Sequence, residues 1–85
     1  MTLAGARLVF SDMHYWTGCL DPQRAEGPVT PATRALLAGN INGHPADWTA
    51  LQALAGRHGL VLIEDSTEAL GSLHAGRPVG SFGLA

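Results

Sequence analysis

Short apolar runs alternate with turn-forming residues along this chain, and their spacing predicts three strand–helix units. The run Leu8, Val9 and Phe10, closed by Ser11 and Asp12, combines β-branched and aromatic residues and predicts a first strand. Met13 to Cys19 follows no period. Asp21-Pro22 predicts a helix start: the aspartate accepts from free first-turn amides, and the proline sits where no N–H is needed. Gly27-Pro28 must end that helix early. Ala35 to Ala38 predicts a second strand, followed by a loop from Gly39 to Pro45 rich in residues that tolerate unusual backbone angles. Behind Asp47 as a cap, Trp48, Leu51, Leu54, Ala55 and His58 recur at helical spacing, and Gly59 supplies the stop. Leu60 to Ile63 is continuously apolar, which predicts a strand buried on both faces, as in a parallel sheet. After Glu64-Asp65, the stretch Ser66 to Leu70 predicts a short helix stopped by Gly71. Leu73-His74 and Pro78-Val79, joined by a turn at Ala75-Gly76-Arg77, predict a small hairpin.

This alternation predicts an α/β fold: a slice of a mostly parallel sheet with flanking helices. Three short parallel strands leave two open edges, and parallel sheets need cover on both faces, so the pattern describes part of a larger sheet. With 85 residues there is room for one small domain at most. Of the 46% of residues that are apolar, many are alanine, so bulky core-forming side chains are few. Such a chain is marginally stable by itself.

The formal net charge of −2 argues against electrostatic capture of nucleic acid or of an anionic membrane. No apolar run approaches the ~20 residues of a membrane span, and the first residues lack the layout of a signal peptide. A cytoplasmic setting is the expectation. Single Cys19 excludes an internal disulfide. All five basic residues are arginine, so no side-chain amine can form a Schiff base. The four histidines are scattered and predict no metal site.

Asp65 is the most informative polar residue, because it stands where open α/β sheets place their ligand crevice, at the C-terminal end of the most apolar strand. There it could hold a protonated ring nitrogen or a hydroxyl, or simply cap the next helix. Glu64 is expected to point to the opposite side. Glu68 shares a face with Asp65 if Ser66 to Leu70 is helical, either as a carboxylate pair or as a solvated first-turn acid. Gly80-Ser81-Phe82-Gly83 could present amides to an anion or merely lead into another strand.

Taken in order, several segments resemble the DegT/StrS family of PLP-dependent sugar aminotransferases. They are Leu3 to Asp12, Leu20-Asp21-Pro22, Val29 to Ala35, Gly43-His44-Pro45-Ala46-Asp47, His58-Gly59-Leu60, Ile63 to Gly71 and Gly76 to Gly83. The resemblance implies residues 1–85 of a partial large domain of a fold-type I PLP enzyme, with both chain ends inside the family's domain. It implies transfer of an amino group, from glutamate, to a nucleotide-linked keto sugar. Carried over by position, Asp65 would bind the pyridine nitrogen of pyridoxal 5'-phosphate, and Glu68 would lie beside the ring. Ser66 matches a variable position and receives no role. The family's cofactor-binding lysine is absent, so no residue here is assigned a catalytic role and the chain alone is expected to be inactive. A homodimer is expected for the complete protein. The loop Asn40-Ile41-Asn42 departs from the commoner His-Leu-Tyr. The alternative from another class is a non-catalytic α/β interaction module that pairs through its open sheet edges.

Overall fold

A computed structural model describes residues 4–84. The first helix, α1 (Pro22–Ala25), begins as its sequence dictates: Asp21 accepts from the Gln23 amide and Pro22 opens the first turn. Strand β1 (Ala35–Gly39) leads through a loop into α2 (Trp48–His58), which returns the chain to β2 (Val61–Asp65). The two strands pair in parallel with register Ala35↔Val61 through Gly39↔Asp65, so Asp65 ends its strand beside Gly39. A hairpin of β3 (Leu73–His74) and β4 (Arg77–Pro78) follows.

Helix α2 supplies the three largest fully buried side chains of the core, Trp48, Leu51 and Leu54. Asp47 accepts from the Ala50 amide at 3.2 Å, and Gly59 ends the helix in the left-handed conformation (φ 64°) that an L-residue adopts only with strain. Trp48, Leu51, Leu54 and Ala55 are buried, as the spacing requires. Trp48, Leu51 and Ala55 form one cluster with Cys19, Ala38, Ala46, Leu62 and Phe82, between helix, sheet and closing loop. Full burial of a leucine such as Leu51 contributes about 1.5–3 kcal/mol. His58 does not join that face. Its Nε2 lies 3.1 Å from Glu26 Oε2, which also accepts from Arg57 Nε and Nη2, so the end of α2 is tied to the end of α1.

Four expectations need correction. Leu8, Val9 and Phe10 form no strand among the described residues: they have no ladder partner, and Phe10 is 85% exposed. The parallel sheet therefore has two described strands, not three. Val61 is 42% exposed, so β2 is buried at Leu62 rather than on both faces. Ser66 to Leu70 is a succession of turns, not a helix. Asp65 bonds locally to Thr67, Ala69 N donates to Ser66 O, and Ser72 N donates to Ala69 O, which draws the backbone away from helical pairing. The hairpin forms as expected, shifted by one residue on its second strand.

Candidate functional site

The site lies at the carboxyl ends of β1 and β2, where three segments meet: the residues after β1, those after β2, and the closing loop 80–83. Asn40 is 1% exposed and spends its amide fully. Its Oδ1 accepts from Trp48 Nε1 at 2.7 Å and from the Ala46 amide at 2.9 Å, while Nδ2 donates to Ser66 Oγ at 2.8 Å and to Glu64 Oε1 at 3.3 Å. Its own amide donates to Asp65 O at 2.9 Å, continuing the strand ladder one step. Beyond it, Asn42 (φ 51°) and Gly43 (φ 77°) make a tight turn, bracketed by reciprocal bonds between Ile41 and His44.

Glu64 is the centre of this arrangement. Oε1 accepts from Ser66 Oγ at 2.8 Å, from Asn40 Nδ2 and from the Gly80 amide; Oε2 accepts from the amides of Phe82 at 2.8 Å and Gly83 at 3.1 Å. Gly80 has φ 92° with open space around it, so the conformation and not crowding calls for glycine. Burial works to raise the Glu64 pKa, but the bonds from Gly80, Phe82, Ser66 and Gly83 together outweigh it and hold the carboxyl below its ordinary value of 4.5. A lowered carboxyl stabilises the fold above that value and loses its contribution as pH falls through the lowered one. Unfolding midpoints in urea are therefore expected to fall steadily below pH 4.5, and a Glu64→Gln chain to show a shallower decline. Equal slopes in the two proteins would contradict this.

Asp65 is exposed at the strand end. Its Oδ1 accepts from the Thr67 amide at 3.1 Å and from Thr67 Oγ1 at 2.8 Å, and these bonds lower its pKa while slight burial opposes them. Oδ2 takes part in neither bond, so an ionised oxygen remains to receive a cationic N–H. Glu68 is also exposed, in the turns that replace the expected helix, and the helical spacing that would have paired it with Asp65 is absent. Thus Asp65 stands where the sequence placed it, whereas Glu68 is not brought to it by a helix face.

Three participants were missed by the reading of the sequence. Glu64, expected only to point to the side opposite Asp65, organises the site through its carboxylate. Ser66, given no role, bridges Asn40 and Glu64. Asn40 was read only as a departure from a commoner motif. The one usable signal was a carboxylate preceding Asp65 in a chain whose later Gly-Ser-Phe-Gly offers amides without strand partners.

Around Phe82 the closing loop is packed as well as bonded. Its ring stacks on Trp48 (centroids 5.9 Å, planes 2° apart), His74 meets it edge-on at 5.5 Å, and the Arg77 guanidinium lies 4.6 Å above it. Past the loop, Leu84 N donates to Leu62 O at 2.8 Å.

A parallel β–α–β unit with an exposed carboxylate at its strand end defines an α/β protein of the kind whose ligand crevice lies at the carboxyl ends of the strands. The profile of the DegT/DnrJ/EryC1/StrS aminotransferase family matches residues 1–85, and the chain belongs to that family. The "pleiotropic regulatory protein" of Geobacillus stearothermophilus is 43% identical over 82 residues, covering 96% of this chain and 22% of that protein. The L-glutamine:2-deoxy-scyllo-inosose aminotransferase of Streptoalloteichus tenebrarius is 48% identical over 75 residues, covering 88% and 18%. The crystal structure of DesI in the presence of its TDP-sugar product matches with a TM-score of 0.90 at 39% identity, covering 96% of this chain and 21% of DesI. The chain therefore spans about a fifth of the length of these relatives. Its fold is part of the fold-type I aminotransferase architecture, and the family's enzymes depend on pyridoxal phosphate.

Proposed function

We propose that residues 1–85 are part of the large domain of a pyridoxal-phosphate-dependent aminotransferase, and that they supply the pyridine-nitrogen end of its cofactor site. The observation that carries this reading is Asp65: an ionised strand-end carboxylate with Oδ2 outside its local bonds. In bound form the cofactor ring serves as an electron sink, and a protonated ring nitrogen makes it a better one. Asp65 would keep the proton at that nitrogen by accepting its hydrogen bond. Thr67 orients the carboxylate through Oδ1, leaving the other oxygen for the ring. Glu68 is proposed to lie beside the ring.

The substrate is proposed to be a nucleotide-linked keto sugar, which the TDP-sugar product of DesI supports; the inosose named for the Streptoalloteichus relative extends the class to keto cyclitols. The amino donor is proposed to be glutamate, and the L-glutamine in that relative's name makes glutamine the nearest competitor. A homodimer and a cytoplasmic location are proposed for the complete protein. The chain contains no lysine to bind the cofactor's aldehyde, so no transamination by these residues alone is expected.

Pyridoxamine 5'-phosphate, which needs no lysine, tests the reading. Titrated into the chain and followed by amide chemical shifts, it is expected to perturb Asp65 and Thr67. Asp65→Asn is expected to weaken it about three- to tenfold, the range for an exposed charge-assisted hydrogen bond. Unchanged affinity in Asp65→Asn would overturn the assignment. No binding, together with concentration-dependent assembly, would favour the edge-pairing module instead.

A further inference from the structure

The closing loop has no helix or ladder of its own, yet the amides of Gly80, Phe82 and Gly83 all have an acceptor, and it is the same carboxylate. From the opposite side Asn40 and Ser66 donate to Glu64 as well. A carboxylate is an acceptor with about four lone-pair sites, so five donors saturate it. No neutral side chain of similar size can replace it: glutamine would turn an N–H against amides that are themselves donors. Asp65 is the adjacent residue, and its carbonyl is held by the Asn40 amide. The same few atoms therefore fix the loop, the residues after β1, and the backbone of the residue proposed to meet the cofactor.

We infer that Glu64 is a positioning residue, which sets the closing loop and Asn40 against the strand end and so fixes where the Asp65 carboxylate stands. This rests on the proposed role of Asp65. It adds a residue that touches neither cofactor nor substrate and acts through its neighbour. Other ties of the loop are in view: the contacts of the Phe82 ring with Trp48, His74 and Arg77, the Gln52 Nε2 bond to Phe82 O, the Arg77 Nη2 bond to Ser81 O and the Ser81 Oγ bond to Pro78 O. None of them receives the amides of Gly80, Phe82 and Gly83.

Amide proton shifts and exchange rates of the 85-residue chain test the inference. In the unaltered chain the amide protons of Gly80, Phe82 and Gly83 are expected to titrate together at acid pH. The other ionisable groups beside this anchor are Asp65, next to Glu64 on β2, and, from the hairpin, His74 and Arg77, which contact Phe82. Among these Asp65 is the one carboxylate besides Glu64, and Asp65→Asn separates the two. In that variant the three amides are expected to titrate as before. In Glu64→Gln their common titration is expected to vanish and their exchange to accelerate at least tenfold. Pyridoxamine 5'-phosphate is expected to bind Glu64→Gln at least threefold more weakly although Asp65 is intact, with Glu64→Asp intermediate. Persistence of the three-amide titration in Glu64→Gln, or its loss in Asp65→Asn, would overturn the inference. So would unchanged pyridoxamine phosphate affinity in a Glu64→Gln chain whose loop exchanges freely. If Glu64→Gln does not fold, the titration in the unaltered chain and in Asp65→Asn still decides whether Glu64 holds the loop, and Glu64→Asp carries the affinity measurement. If instead Asp65→Asn binds the probe normally while the amides behave as stated, the role of Asp65 fails and the loop anchoring by Glu64 stands.

Discussion

Replacing Asn40 by alanine is expected to cost about 3–5 kcal/mol, enough to unfold much of the population of so small a chain. The figure follows from what the side chain leaves behind. The Ala46 amide and Trp48 Nε1 both lose their acceptor in a buried setting, and each orphaned donor costs about 1–3 kcal/mol. Loss of the Nδ2 bonds to Ser66 and Glu64 adds to that. A domain of this size has a margin of about 3–5 kcal/mol. Urea unfolding followed by circular dichroism measures the effect, and a loss below about 1 kcal/mol would show that the hub is dispensable. Asn40→Asp distinguishes hydrogen bonding from packing. It keeps the acceptors but sets a second carboxylate against Glu64, so it is expected to be destabilised at pH 7 and partly relieved near pH 4.

Trp48→Ala is the second large effect, expected at about 3–5 kcal/mol, as for other large-to-small changes at buried aromatic sites. Trp48 is fully buried, its ring stacks on Phe82, and its indole N–H is bound to Asn40. Trp48→Phe retains a ring against Phe82 and loses the indole donor, so it is expected to cost less than half as much. The two sites share one hydrogen bond. Their double variant is therefore expected to fall short of the summed single losses by about 1 kcal/mol or more. Strict additivity in a denaturant-based cycle would mean that the Asn40–Trp48 contact carries no energy. Phe82 belongs to the closing loop, so Trp48→Ala is also expected to loosen that loop.

Helix α2 was readable because its apolar period, its Asp47 cap and its Gly59 stop all point to one element. The β1–α2–β2 crossover followed from the same spacing. Leu8 to Phe10 was misread because an apolar run shows strand propensity but does not contain its partner, and none of the described residues supplies one. The turns from Ser66 onward escaped for a local reason: Asp65 and Thr67 bond to each other, and that competition cannot be seen in an apolar period. The place of Asp65 at the end of an apolar strand was legible from the pattern alone. Glu64 was not, because its role depends on amides 16 to 19 residues away, and backbone donors leave no mark in the identity of side chains.

The loop that Glu64 gathers is fastened to β2 at two levels. Phe82 N meets the Glu64 side chain, and two residues later Leu84 N meets the backbone carbonyl of Leu62, nearer the start of the same strand. One strand thus serves as the rail for the loop, with a carboxylate from its end and a carbonyl from its body. Whatever shifts β2 along its parallel pairing with β1 carries the loop with it.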